Sequence, residues 1–386
     1  MFLTDELVAR FLKRRLEHAD RVVREIHSRD DMLRYAMIQS SGDVAGAHLD
    51  YMANGLVVLQ TMRQLVRWRF GGWDGVGAVL DFAAGFGRVT RMISHDVPDE
   101  RLWASEIDPA ALEFLSDTIG VRTIASAAHP SGMDCLNQFD LILVSSLFSH
   151  LPESLFIAWL ERLAGLLQPG GMLAFSVHDK ALLPTGAVMP KCGIIFQPTS
   201  ESRVLDAEIY GSTWVTEDFV RRVASDVAPS RPCLRVPRGH CGYQDLYLLL
   251  ETPGVKAPSP PQIDPGPEGI IDHYEVDQEN DCVVFGGWSV DRVTRRAPSS
   301  IVVELSGEEY QTIEEFENRP DVRHSKTPVR PEKCGFGVRI PLQLLLQRHH
   351  VTVTVEAVST GGVRSLLFAG ELPALHLRVV RTRCGL

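Results

Sequence analysis

Two acidic residues flank a short run of small residues in the first third of the chain. Asp81 ends an apolar run, Ala83, Gly85 and Gly87 follow it, and Glu106 ends the next apolar run. Small residues let the backbone turn with positive φ and let a ligand press against it. A carboxylate at position 106 can accept hydrogen bonds from two neighbouring hydroxyl groups. The pattern therefore predicts a site for a ligand that carries a ribose.

The elements that must position this site follow from the pattern around it. A helical pattern begins near Arg88, so its first N–H groups point at whatever occupies the loop. A strand, a loop, a helix and a second strand make one βαβ unit, whose ligand lies at the carboxyl ends of the parallel strands. This placement indicates an adenosine-bearing ligand.

The spacing of the glycines separates two classes of adenosine ligand. A dinucleotide fingerprint needs Gly-x-Gly-x-x-Gly, whereas Thr90 stands three residues after Gly87. The lysine of a phosphate-binding loop is also absent. An acid followed by small residues at alternate positions resembles motif I of the class I S-adenosylmethionine-dependent methyltransferases, with Ala83 in place of the first glycine.

This resemblance implies S-adenosylmethionine as the cofactor and a set of contacts to it. The first loop would lie near the methionine moiety, Glu106 would hold the ribose, and the segment around Ser145 would lie under the ligand. An acid that often contacts the adenine in this family is replaced by Ser126 or the backbone of Ala127. The implied cofactor residues are Asp81, Ala83, Gly85, Gly87, Arg88, Glu106, Ile107, Ser126, Ala127 and Ser145.

A second motif extends the resemblance over residues 45 to 250. The turn Leu167-Gln168-Pro169-Gly170-Gly171 is similar to the helix-to-strand turn of the same family. The resemblance implies an α/β fold with a Rossmann-like seven-stranded methyltransferase sheet. Helical patterns over 5–37 and 48–70 predict an N-terminal helical cap, in which Tyr35 and Tyr51 are either lid aromatics or ordinary core residues.

Methyl transfer needs alignment of donor and acceptor, and a base when the acceptor is a hydroxyl. His150 and His178 follow the ends of two predicted parallel strands, and imidazole titrates near neutrality. Both are candidate catalytic bases, and a structural role is the alternative for each. The chain has seven cysteines and no Cys-x-x-Cys pair, which argues against a zinc site or a disulfide framework.

Composition narrows the class of protein. A chain of 386 residues predicts two or three domains, and its net charge of −10 argues against non-specific nucleic-acid binding. No apolar run approaches the roughly 18 residues of a membrane span. The cysteine usage and the N-terminus, which has no long apolar run, favour the cytoplasm. The sequence leaves open whether the chain forms a homo-oligomer.

The last third of the chain has a different pattern. A Pro-rich stretch, 251–268, reads as a linker, and short alternating strands over 269–386 predict a β-sandwich. The phrases around Trp288, Arg319 and Phe336 resemble an accessory β-domain of glycan-modifying enzymes; a core Trp plus two turns is the alternative. The expected domains are a helical cap, 1–75, and a methyltransferase domain, 76–250, followed by this linker and sandwich.

Three functions fit these observations. The first is S-adenosylmethionine-dependent methylation, mainly O-methylation of a small or carbohydrate-like acceptor such as a glycan or polysaccharide precursor. The second is a non-catalytic module that binds S-adenosylmethionine and recruits partners. The third, a nicotinamide-dependent dehydrogenase, is disfavoured by the missing third glycine.

Overall fold

The computed structural model describes residues 2–199, 205–229, 231–252, 258–324, 333–346 and 351–373. The chain forms two compact units. The first contains Met1–Asp20, Asp31–Val57 and Asp264–Leu386, and the second contains Arg21–Asp30 and Val58–Ile263. The expected helical cap is thus divided between the two units.

The helices of the N-terminal third are α1 (Phe2–Lys13), α2 (Asp31–Gln39) and α3 (Val44–Phe70). The helix expected over 5–37 is therefore interrupted, because the chain leaves α-helical geometry after Lys13 and resumes it at Asp31. The carbonyls of Val23 and Glu25 in this stretch bind the side chain of Arg91 instead of helical N–H groups.

The second unit is built on a mixed sheet. Its first five strands are parallel, in the spatial order β3-β2-β1-β4-β5. Strand β9 pairs antiparallel with β5, and β8 pairs antiparallel with β9. The strands are β1 (Val79–Phe82), β2 (Leu102–Glu106), β3 (Arg122–Ala125), β4 (Phe139–Val144), β5 (Leu167–Asp179), β6 (Ile194–Gln197), β7 (Ser212–Val215), β8 (Cys233–His240) and β9 (Gln244–Leu250).

The sheet has nine strands where seven were expected. Among the described residues, the additional strands are β6 and β7, where β7 pairs with β6 along its length and with β5 at His178 and Asp179. Residues 180 to 208 lack clear periodicity in the sequence, so β6 had no signal of its own. The extension widens the sheet at the carboxyl end of β5, beside His178.

Alternate residues of the central strands face two different apolar clusters. Leu80 and Phe82 join a cluster with α6 (Glu153–Ala164) and α7 (Glu217–Val227), whereas Val79 joins a cluster with α3, α4 (Thr90–Asp96) and α5 (Pro109–Phe114). Parallel strands buried on both faces read as continuous apolar runs. The core therefore fixes the strands and leaves their carboxyl ends for the polar residues of the site.

The first unit contains two antiparallel four-stranded sheets, ordered β10-β11-β15-β14 and β13-β12-β16-β17. One apolar cluster draws residues from both sheets, including Phe285, Val303 and Val355. The sandwich geometry itself stays a prediction. The elements are β10 (Glu268–Asp277), β11 (Cys282–Val290), β12 (Ser300–Leu305), β13 (Glu308–Ile313), β14 (Glu317–Asn318), β15 (Lys333–Pro341), α8 (Leu342–Leu346), β16 (Thr352–Val358) and β17 (Arg364–Glu371).

The phrases that suggested a glycan-related domain have packing roles in this unit. Trp288 packs against Val322 and Cys334, and Arg319 donates to the carboxylate of Asp272. Asp291 is fully buried and accepts hydrogen bonds from three backbone N–H groups. These contacts match the alternative of a core Trp plus turns.

Two further features concern the chain as a whole. Among the described residues, no helix combines the length and the apolar character that a membrane span requires. Helix α1 is fixed within the first unit by Arg15, whose guanidinium contacts Glu304 at 3.3 Å and binds both oxygens of Glu356. All three side chains are buried, and each carboxylate has a second arginine beside it, Arg14 at 2.9 Å from Glu304 and Arg364 at 3.0 Å from Glu356, but Arg15 contacts both carboxylates.

We predict that Arg15→Met destabilises the first unit by about 3 kcal/mol, because it keeps the volume but leaves two buried carboxylates without their shared cation. Hydrogen exchange of the amides in β12 and β16 measures this free energy of opening. Arg10→Met is the control, since the Arg10–Glu6 pair is exposed and is expected to contribute less than about 1 kcal/mol. Equal effects of the two substitutions would contradict the prediction.

Candidate functional site

The loop after β1 is held in left-handed backbone geometry at three alternate positions. The φ angles are +59° at Ala83, +56° at Gly85 and +75° at Gly87. A Cβ added at Gly85 would meet no atom within 4 Å, whereas one at Gly87 would clash with Ile119. Gly85 therefore borders open space that a ligand can use, and Gly87 is required for packing against the helical segment after α5.

Glu106 joins the first loop to the end of β2. One carboxylate oxygen accepts a hydrogen bond from the N–H of Gly85 at 2.8 Å, and the other accepts from Ile107 at 2.7 Å. Gly85 and Glu106 thus lie side by side, as contact with one ligand requires. A carboxylate has about four lone-pair sites, so acceptor capacity remains for hydroxyl groups.

Asp81 lies beneath the loop and is almost completely buried. The hydroxyl of Thr90 donates to its carboxylate at 2.7 Å. Burial raises the pKa of Asp81 to about 7, the Thr90 hydrogen bond opposes this shift, and the charge of Glu106 adds to it. Asp81 therefore titrates near neutral pH in the absence of a cation beside it.

The other predicted cofactor residues lie at the same edge of the sheet. Arg88 is half-buried directly after the loop. The N–H of Ser126 donates to the carbonyl of Glu106 at 2.9 Å, which places the end of β3 beside the end of β2. Ala127 is half-buried next to it. The structure thus brings residues 83–88, 106–107 and 126–127 to three neighbouring loops.

Ser145 begins the loop after β4 and is paired with a buried histidine. Its hydroxyl lies 3.0 Å from Nε2 of His240, a residue on β8. Burial, together with the charge of the nearby Arg88, lowers the pKa of His240 to about 4. His240 is therefore neutral at physiological pH, and it holds the loop after β4 through Ser145.

The two candidate bases, His150 and His178, lie close together at the ends of β4 and β5. Their ring centroids are 6.3 Å apart, and the ring of His150 also stacks on Tyr210 at 4.6 Å. The rings of Trp214 and Tyr243 lie 6.0 and 5.9 Å from that of His178. Aromatic rings therefore surround the two histidines at this end of the sheet.

Hydrogen bonds assign different tautomers to the two imidazoles. Nδ1 of His150 lies 2.7 Å from the carbonyl of Gly211, so this nitrogen carries the proton and Nε2 carries the basic lone pair. Nε2 of His178 lies 3.0 Å from the side-chain nitrogen of Gln244, which donates to it. Burial lowers the pKa of His178 to about 4, and the proximity of His150 adds to this. His178 is therefore a weak base.

Gln244 organises the loop that follows β4. Its side-chain oxygen accepts from the hydroxyl of Ser146 at 3.1 Å, while its nitrogen donates to His178. Ser146 adopts a φ of +63°, and its N–H donates to the hydroxyl of Ser176. A polar network of this kind holds the loop in one conformation because every member would otherwise be buried without a partner.

Sequence reasoning missed several of these residues. Thr90, Arg91, His240 and Gln244 lie in regular elements, where they read as ordinary helix or strand residues. Arg91 offered one signal, since a charged residue four positions after Gly87 falls on the helix face that turns towards the loop. The lid candidates behave differently from each other: Tyr35 is 53% exposed, whereas Tyr51 is fully buried as a core residue would be.

The described residues contain no group of three or more His, Cys, Asp or Glu side chains arranged to hold a metal ion. The described cysteines are all free. The residues that the structure gathers at the site are instead single carboxylates, neutral imidazoles and hydroxyl groups. These groups can bind hydroxyls, neutralise a cation and accept a proton.

The comparison with protein families gives a match over part of the chain. Residues 80–173 match a family model described as a methyltransferase domain. The matched segment includes most of β1, the loop after it, Glu106 and His150. The match supports S-adenosylmethionine, the predicted cofactor, as the methyl donor of this domain.

A curated protein with a similar sequence shares only a low identity with this chain. The chain is 24% identical over 147 residues to the malonyl-[acyl-carrier protein] O-methyltransferase of Prosthecochloris aestuarii (strain DSM 271 / SK 413). The aligned region covers 37% of this chain and 54% of that protein, so the chain spans about half the length of this curated relative.

Solved structures show a lower sequence identity to this chain. The plantazolicin methyltransferase in complex with S-adenosylhomocysteine is 13% identical, with a TM-score of 0.38, and the likeness covers 57% of this chain and 95% of that one. The glycopeptide N-methyltransferase in complex with S-adenosylhomocysteine is 18% identical, with a TM-score of 0.32, covering 45% and 80%.

We predict that Asp81 lowers the free energy of unfolding as the pH rises from about 4 to about 7. The unfolded state loses this proton near pH 4, but the folded state keeps it until about pH 7, so the stabilisation is complete below pH 4 and lost above pH 7. Asp81→Asn should therefore remove about 1 to 4 kcal/mol of pH dependence over this window.

Urea unfolding of wild type and Asp81→Asn at several pH values measures this difference. His178 and His240 produce the opposite slope, because their lowered pKa values stabilise the folded state increasingly as pH rises from about 4 to 6.5. Subtracting the two proteins cancels the histidines, which are present in both. A difference that stays constant with pH would refute the assignment.

Proposed function

We propose that the second unit is an S-adenosylmethionine-dependent methyltransferase that methylates an oxygen atom of a small acceptor. The observation that carries this proposal is the 2.8 Å hydrogen bond between Gly85 and Glu106 within the matched domain. It joins an open, slim loop to a carboxylate with remaining acceptor capacity. A nucleoside needs both, one for its thioether side and one for its ribose.

The cofactor side divides into groups that bind and groups that support. With S-adenosylmethionine bound, Glu106 would accept from the ribose hydroxyls and Gly85 would give the ligand close access to the backbone. Ser126 and Ala127 would contribute to the adenine side and Ser145 to the side of the loop after β4, while Ile107 fixes the carboxylate of Glu106 through its N–H. A bound S-adenosylmethionine supplies a methyl group on a sulfonium cation, which is already activated for displacement.

Asp81 gives this side a charge that responds to the ligand. Its pKa of about 7 belongs to the empty site, where burial disfavours the ionised form. A positive charge nearby favours the carboxylate and would lower that pKa. The cation of the donor thus gains a partner, whereas the neutral thioether that remains after transfer does not, which favours exchange of product for donor.

On the acceptor side His150 is the proposed general base. Its Nδ1–H donates to the carbonyl of Gly211, so Nε2 would be the atom that accepts the proton of an acceptor hydroxyl. His178 is the positioning residue, because Gln244 occupies its Nε2 and its pKa is too low for an efficient base. The proton then resides on His150 as imidazolium.

The acceptor class rests on two further observations. The curated relative is named for O-methylation, and a neutral imidazole base suits a hydroxyl acceptor. A glycan or polysaccharide precursor stays a proposal that the C-terminal unit does not strengthen, because its Trp288 and Asp291 have packing roles. Location in the cytoplasm and homo-oligomer formation also stay predictions.

A second candidate is a non-catalytic module that binds S-adenosylmethionine. The alanine at position 83, held at a φ of +59°, and the serine at position 126 are departures from the motif that favour it. The two candidates share the cofactor site, so only methyl release separates them. Formation of S-adenosylhomocysteine with a cell extract as acceptor source would exclude the silent module.

We predict that calorimetric titration with S-adenosylhomocysteine gives a saturable signal, and that Glu106→Gln weakens binding about 10- to 100-fold. The substitution removes the charge from hydrogen bonds that are worth about 1.5 to 3 kcal/mol to an ionised acceptor. Glu113→Gln, on an exposed face of α5, is the matched control and should bind like wild type. Absence of heat with wild type would remove the proposed function.

We further predict that His150→Ala lowers turnover about 100-fold or more without changing cofactor affinity, since general base catalysis typically contributes about 10²- to 10⁴-fold. The acidic limb of the pH–rate profile should disappear in this variant. His178→Ala should lower turnover less and keep that limb, because His178 only positions its neighbours. An unchanged turnover of His150→Ala, or a lost limb in His178→Ala alone, would reverse the assignment.

A further inference from the structure

Residues 21–30 form a short non-helical segment, here called the strap. The strap belongs to the second unit, although the residues on both sides of it, up to Asp20 and from Asp31, belong to the first. Within the first 57 residues, the strap is thus the part that belongs to the same compact unit as the methyltransferase domain. Its contacts show what it does there.

The strap bridges the two loops that bound the proposed nucleoside site. The ring of His27 stacks on Phe86 at 4.4 Å with an interplanar angle of 4°, between Gly85 and Gly87 of the loop after β1. Arg29 donates to Asp108 at 2.9 Å, two residues after Glu106. The strap therefore reaches both loops from one short stretch of chain.

Arg91 is the anchor of this arrangement. Its fully buried guanidinium donates to the carbonyls of Phe86 and Gly87, each at 2.9 Å, and to those of Val23 at 3.0 Å and Glu25. A buried charge is costly unless its donors are satisfied. Moving either the loop or the strap would leave part of this guanidinium without its acceptors, so the two segments hold each other.

The contacts of the strap differ in strength along its length. Val23 and Glu25 are held by the buried guanidinium, whereas His27 is held by ring contacts with Phe86 at 4.4 Å and Phe114 at 5.4 Å. The Arg29–Asp108 pair is weak because the arginine is 51% exposed. Opening therefore requires less free energy at residues 27–29 than at residues 23–25.

We infer that the strap is a hinged cover on the cofactor side of the site, anchored by Arg91 and opening at residues 27–29. This inference rests on the proposed function, because it takes the loops around Gly85 and Glu106 as the nucleoside site. Arg91 is a positioning residue in this scheme, and His27 sets how quickly the nucleoside exchanges. Opening of the cover therefore controls the rate of product release without changing the methyl-transfer step.

The test measures the dissociation rate of S-adenosylhomocysteine from the full-length protein by surface plasmon resonance. His27→Ala removes the stack and should release the nucleoside about three- to ten-fold faster, the range that an aromatic pair contributes. His27→Phe keeps a flat ring on Phe86 and should release it at the wild-type rate. Turnover at saturating donor should not fall in His27→Ala.

Arg91→Lys tests the anchor, because a lysine keeps the charge but cannot reach four carbonyls at once. It should accelerate release more than His27→Ala does. Arg162→Lys is the matched control, since Arg162 binds the carbonyls of Met133 and Cys135, which lie outside the strap and both loops. This control should retain the wild-type rate, and melting temperatures of all variants report on folding.

Hydrogen exchange of the amides of residues 22–30 is the second readout and needs no ligand. Exchange should increase in His27→Ala and Arg91→Lys but not in Arg162→Lys. A wild-type dissociation rate in His27→Ala, or equal acceleration in Arg162→Lys, would overturn the inference. A wild type that binds no nucleoside would refute the proposed function instead, and unchanged exchange in the strap would then refute the cover as well.

Discussion

The site depends on one hydrogen bond, from the N–H of Gly85 to the carboxylate of Glu106. Gly85 lies in the loop after β1 and Glu106 ends β2, the neighbouring parallel strand, and the register pairs Phe82 with Ser105 at the ends of these strands. Strands buried on both faces cannot slide, because a shift of one residue would exchange the side chains of the two apolar clusters. The core therefore sets the distance between loop and carboxylate, and the hydrogen bond fixes the loop onto that frame.

Around this frame three buried ionisable groups are shifted towards their neutral forms. Burial holds His178 and His240 unprotonated and shifts Asp81 towards its neutral form. Such groups gain little from water, so the charge of an incoming ligand acts on them directly. A site of this kind suits a reaction in which a cation is consumed and a neutral thioether is left behind.

The residues of the proposed cofactor side could be brought together from the sequence because they are contiguous. Asp81, Gly85 and Glu106 lie within one βαβ unit, and the spacing of strand, loop and strand carries the whole arrangement. The acceptor side could not be predicted to the same extent, since Gln244 meets His178 only through the antiparallel pairing of β9 with β5. The strap was missed for a related reason. Its residues follow a helical pattern, and Arg91 binds carbonyls that a helix would have used.

Ala83 shows how much of the loop is imposed by its surroundings. An alanine held at a φ of +59° costs about 1 to 2 kcal/mol relative to ordinary backbone geometry, a cost that glycine avoids. The loop adopts this geometry nonetheless, because the N–H of Ala84 donates to Ser105, Gly85 donates to Glu106 and Arg91 binds the carbonyl of Gly87. Several hydrogen bonds of about 1 kcal/mol each offset the strain at one residue. The departure from the glycine motif is thus compatible with a preorganised loop, whose shape comes from its partners rather than from glycine alone.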